Sequence, residues 1–133
     1  MMENLGFIVD LDTTYDEAVT KVTAALKTEG FGVLTEIDVK STLKKKIDVD
    51  FHPYTILGAC NPPLAHKALT AAPEVGLLLP CNVTVQTLEN GRVRVSFINA
   101  QTMMQVIKDN PVLTEVANEV TERMSRVAQV LEA

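Results

Sequence analysis

The stretch "LPCNVTVQTLENGRVRVSFI", residues 79–98, restricts the possible folds more than any other part of the chain. Leu79, Cys81, Val83 and Val85 fall on one face, and Asn82, Thr84 and Gln86 on the other; after the turn, Val93, Val95 and Phe97 alternate with Arg92, Arg94 and Ser96. That period of two marks two half-buried antiparallel strands. A two-residue Asn90-Gly91 turn would pair Val85 with Ser96 and set the two apolar rows on opposite sides. A three-residue loop, Glu89-Asn90-Gly91 with Gly91 left-handed, pairs Val85 with Val95 and Val83 with Phe97. The second register is the expectation, because it gives one apolar face to bury and one polar face to expose.

The flanking segments supply the rest of such a sheet. Residues 5–11 alternate as a strand with Leu5, Phe7, Val9 and Leu11 on one face. Thr14 and Glu17 have the spacing of a capping box, Tyr15, Ala18, Val19, Val22, Ala25 and Leu26 recur at helical spacing, and Gly30 supplies the stop for a helix over 14–29. Residues 31–39 are expected to be a strand with Phe31, Val33, Ile37 and Val39 on a shared face, followed by a Lys-rich short helix or excursion at 40–47. Residues 54–60 are apolar on both faces and predict an interior strand ending at Asn61-Pro62, a favoured N-cap followed by a favoured first helical residue, so 62–72 is a short helix. Asn99 caps a helical segment to about Lys108, and Asn110-Pro111 opens a last helix over 111–131, with Leu113, Val116, Val120, Met124, Val127 and Leu131 on one stripe.

This order predicts a single α+β domain over residues 1–133, two-layered, with an antiparallel sheet carrying its helices on one face. The uncovered face and the sheet edges need management, which predicts a twofold homodimer. The 79–98 hairpin gives that face a polar surface, and Asn82, in mid-strand where asparagine is disfavoured, marks it as an alternative site.

Charge and composition narrow the partners. The net charge is −5 and the one concentrated basic run is Lys44-Lys45-Lys46, so nucleic acid is not expected. "MMENLGFIVDLD" has no basic leader pattern, and the longest apolar run, Gly76 to Leu79, is far below a membrane span. A cytoplasmic protein with reduced cysteines is expected.

The chemistry-bearing residues gather around "YTILGACNPPLAHKAL" and "GLLLPCNV". Cys60 ends an apolar strand just before a helix start, whose partial positive charge favours a thiolate. Cys81 shares the core face of its strand and reads as a small buried hydrophobe. His66 projects from the same side of the helix as Pro62, within conceivable reach of Cys60, while His52 before Pro53 reads as a loop residue. A pocket is therefore expected at the start of the 62–72 helix, lined by Cys60, Asn61, Pro62 and His66 with Leu79-Pro80-Cys81 beside it. There the N–H groups of Leu64 and Ala65 would meet a small molecule or anion. The favoured class is a small binding or interaction module. The alternatives are a thiol-dependent enzyme or redox protein using Cys60 with His66, and a soft-metal site of Cys60, Cys81 and His66. No established metal-ligand spacing, paired catalytic carboxylates, Gly-rich phosphate loop or dinucleotide fingerprint is present, so neither a metal nor a cofactor is expected.

"PYTILGACNPPLAHKAL" continued by "PEVGLLLPCNVTV", and preceded by "EIDVKSTLKKKIDVDF", resembles the domain-of-unknown-function family numbered 302, over nearly the whole chain. The resemblance implies a two-layer β-α-β4-α domain similar to the TATA-binding-protein-like fold, often dimeric, with no established activity.

Overall fold

A computed structural model describes residues 5–107 and 109–132. Lys108, the expected end of the short helix, and Glu3, part of the leader argument, lie outside the described residues. Five strands, β1 (Gly6–Leu11), β2 (Gly32–Asp38), β3 (Tyr54–Cys60), β4 (Cys81–Thr87) and β5 (Val93–Ile98), form one antiparallel sheet in the order β1-β5-β4-β3-β2. The helices are α1 (Tyr15–Thr28), α2 (Val39–Ile47), α3 (Pro62–Ala71), α4 (Ala100–Met104) and α5 (Pro111–Glu132), with a 3-10 turn at Pro73–Leu78. The α+β class and the antiparallel sheet are those expected from the sequence.

The hairpin takes the three-residue loop. Val83 pairs with Phe97 and Val85 with Val95. Gly91 has φ +83°, a left-handed conformation that glycine adopts without a Cβ penalty, and its N–H donates to Leu88 O at 2.9 Å. The strand begins at Cys81, one residue after Pro80, which has no N–H to give to a ladder. The apolar rows of β3, β4 and β5 thus share one side, where Leu57, Val83, Val85, Val93, Val95 and Phe97 are buried in the single core cluster. Against them lie Ala18, Val22, Ala25 and Leu26 of α1 and Leu113, Val116, Val120, Met124 and Val127 of α5, the stripes expected for the two helices.

Local capping follows the sequence. Thr14 Oγ1 accepts from Glu17 N at 3.2 Å; the Glu17 carboxylate, instead of closing the capping box, accepts from Thr13 Oγ1 at 2.6 Å. Phe31 N and Gly30 N donate back to Leu26 O and Lys27 O, ending α1. Glu29 then ties α1 to α5: its carbonyl accepts from Arg123 Nη1 at 2.9 Å and its carboxylate from Arg126 Nε at 2.9 Å.

The expectation for β2 is corrected. Val33 pairs with Ala59 but Thr35 with Gly58, so Leu34 is an extra residue in a β-bulge. One added residue reverses the parity of everything after it. Val33 stays on the Ala59 side, whereas Ile37 pairs with Ile56 on the uncovered side and is 47% exposed. Val39 has left the strand to begin α2. The uncovered face is correspondingly less polar than expected: Asn82, Thr84 and Ser96 do lie across its middle, but Ile8, 54% exposed, and Ile37 flank them.

Candidate functional site

The sheet and helices leave a cleft of about 270 Å³ where β3 runs into α3. Its inner wall comes from Phe31, Ala59, Cys81, Met104, Val116 and Val120; Leu64, Ala65, Ala68 and Leu69 of α3 form one side, and Leu34 and Pro80 close the other. Three of the sequence-expected residues, Cys60, Asn61 and Cys81, line it together, with Leu79 and Pro80 beside them.

Pro62 and His66 do not line it. Leu64, Ala65, Ala68 and Leu69 are the face of α3 turned to the cleft, so the row 62, 66, 70 faces away, and Pro62 and His66 are exposed. The structure therefore does not bring His66 to Cys60 as a base or to the two cysteines as a third ligand. Among the described residues no group of three or more His, Cys, Asp or Glu side chains is placed to hold a metal ion.

The anion-receiving helix start is not formed either. Asn61 is buried, its Oδ1 accepts from Leu64 N at 3.2 Å, and its main-chain oxygen accepts from Ala65 N at 2.9 Å. Proline contributes no N–H at 62 or 63, so capping consumes both donors that an anion would need. The Asn61 amide is committed as well, with Nδ2 donating to Glu29 O at 3.5 Å.

Cys81 is buried on the core face, as its parity predicts; burial pushes its thiol up to about 11, and the nearby Cys60 adds to the rise. Cys60 is half-buried, and both thiols are free.

A second, larger concavity of about 590 Å³ lies on the uncovered sheet face, lined in part by Ile8, Tyr54, Asn82, Thr84, Ser96 and Ile98. At its margin Arg94 holds Asp10 through two bonds, at 2.8 and 3.0 Å, which lowers the Asp10 carboxyl below its ordinary range. His52 lies in the loop before β3, as expected, with its Nε2 3.0 Å from Gln86 Oε1 and its ring against Phe51.

Sequence reasoning missed Leu34 and Leu69. Leu69 was readable, since 64, 65, 68 and 69 form an apolar helical stripe; Leu34 was not, because "GVLTEID" carries no mark of a bulge.

The family model described as "Domain of unknown function DUF302" matches residues 7–131. No curated protein matches the chain. The crystal structure of an uncharacterized conserved DUF302 protein from Bacillus stearothermophilus is similar, at 31% sequence identity over 96% of this chain and 98% of that one, with a TM-score of 0.87. That agreement in sequence and fold, over almost the full length of both chains, places this chain in the DUF302 family.

Proposed function

We propose that the domain is a homodimeric, non-enzymatic binding module that holds a small ligand in the cleft between β2, β3 and α3. The observation that carries the reading is a formed cleft without a catalytic constellation. Cys60 lines it, yet His66 stands on the opposite row of α3, and no carboxylate is among the lining residues. A cysteine nucleophile is activated by a neighbouring base, a cation or a helix start with free N–H groups; here His66 is turned away, no cation lines the cleft, and Asn61 takes the Leu64 and Ala65 N–H groups. The two free thiols suit a reducing compartment, and the cytoplasm is the assignment proposed.

The dimer reading rests on the uncovered face. Ile8, Ser96, Thr84, Ile56 and Ile37 form one row across the five strands, apolar at both ends. β4 is the central strand, so a twofold axis parallel to it in the interface lays β1 over β2 and sets Ile8 against Ile37 of a second copy.

Two measurements test these statements. Screening a mixed small-molecule library by NMR is expected to give compounds that shift the Leu34, Ala65 and Leu69 signals, equally in wild type and Cys60→Ser. A library that never moves those signals, or turnover lost in Cys60→Ser, overturns the binding-module reading. Light scattering is expected to give twice 14.5 kDa for wild type and a monomer for Ile8→Asp/Ile37→Asp; a monomeric wild type overturns the dimer.

A further inference from the structure

Taking the cleft as the binding site, and resting on that reading, we infer that its ligand is a small uncharged molecule carrying an aromatic ring. Four observations lead there. The first is the polar inventory of the walls. No charged side chain lines the cleft, Asn61 Oδ1 is taken by Leu64 N while its Nδ2 donates to Glu29 O, and the other polar side-chain atoms among the lining residues are the thiols of Cys60 and Cys81. An ion entering would lose water without gaining a counter-charge.

The second is size. A cavity of about 150 Å³ lined by apolar side chains is enough to hold benzene, and this cleft, at about 270 Å³, has room for one ring with a short substituent or for two fused rings.

The third is the mouth. Leu34 is 66% exposed and Leu69 39% exposed, and they reach the opening from different elements. Leu34 is the extra residue of the β2 bulge, and bulges next to functional sites re-aim a side chain in this way. A ligand spanning the opening removes the exposed parts of both leucines from water.

The fourth is sulfur. Cys60, Cys81 and Met104 all line the cleft, so three sulfur-bearing side chains surround one small space. Sulfur is polarizable and favours contact with ring edges, which selects an aromatic over an aliphatic occupant of equal area.

The inference is tested by NMR titration of the intact protein with four probes of nearly one size: toluene, methylcyclohexane, benzoate and benzylammonium. Toluene is expected to shift the Leu34, Leu69 and Met104 signals. Benzoate and benzylammonium should bind at least about tenfold more weakly, and methylcyclohexane about threefold more weakly. Ala65→Leu, which fills the cleft, is expected to abolish the toluene shifts; Leu34→Asp, at an exposed position, should weaken toluene severalfold and serves where Ala65→Leu does not fold. Charged probes binding as tightly as toluene, or methylcyclohexane matching it, overturn the ligand class and leave the cleft as a site. If none of the four probes moves those signals, the inference falls; the cleft itself falls as well only if the mixed library also leaves them unmoved. Toluene shifts that persist unchanged in both variants overturn the inference, since binding then lies elsewhere.

Discussion

Replacing Asn61 with alanine tests the structural basis of the cleft, because this one side chain caps α3 and joins it to the end of α1. The cap bond from Leu64 N is worth about 1 kcal/mol, within a range of roughly 0.5–2 for N-cap substitutions. The second bond, Nδ2 to Glu29 O at 3.5 Å, is long, and Glu29 O keeps Arg123 Nη1 at 2.9 Å, so its loss adds at most about 0.5 kcal/mol. The sum is about 1–2 kcal/mol. For a chain of 133 residues, an unfolding entropy of about 2.1 cal/mol/K per residue makes this a fall of roughly 3–7 °C in Tm. The assay is thermal and urea unfolding followed by far-UV circular dichroism, at one fixed protein concentration because the proposed dimer would make Tm concentration-dependent. Asn61→Ser keeps a cap acceptor and is expected to recover more than half of the loss. Asn61→Ala within about 0.5 kcal/mol of wild type, or Asn61→Ser as damaging as alanine, would refute the capping account.

Gly58→Ala is expected to cost about 2 kcal/mol or more, since a Cβ there meets Thr35 Oγ1 and lies 2.8 Å from Pro80 Cγ; a urea midpoint equal to wild type counts against the packing described. Cys81 should resist alkylation by iodoacetamide in the native protein at pH 8, because it is buried and, with its thiol near 11, only about one molecule in a thousand carries the thiolate; mass spectrometry showing rapid native labelling contradicts this. Asp10, held by Arg94, has a folded-state carboxyl lowered below its unfolded value, so the pair contributes stability above the unfolded value that is lost as pH falls through the folded one. The stability gap between wild type and Asp10→Asn is therefore expected to be present at pH 7 and to close below about pH 4 in urea titrations at each pH. His66→Ala should leave ligand shifts at Leu34 and Leu69 unchanged; their loss contradicts its placement on the outer row of α3.

How much of this was legible in the chain depended on whether the controlling interaction was local. The register of β4 and β5 was readable because burying one row excludes the two-residue turn and keeps the three-residue one. Asn61, Asn99 and Asn110 were readable as caps, and each accepts from a backbone N–H two or three residues on. The bulge at Leu34 was not, because its cause is the pairing of β2 with β3 and nothing in "GVLTEID" departs from a plain strand. The anion expectation failed for a different reason: the donors of α3 were counted before the cap and the first helical bond had taken theirs. His66 was placed beside Cys60 by its spacing from Pro62, when the apolar stripe of α3 already pointed the helix the other way.

The strand order has a bearing on how this chain is made. β1 and β2 are consecutive in sequence and stand at opposite edges, with three later strands between them. β1 finds its partner only when Val93–Ile98 exist, and the roughly 80 residues separating the two take about 4–16 s to synthesise at 5–20 residues per second. Throughout that interval Phe7, Val9 and Leu11 are an unpaired apolar segment on a nascent chain. The β2–β3–β4–β5 run, in which each strand pairs with the next one in sequence, is the part able to form first and serve as the template to which that waiting segment returns.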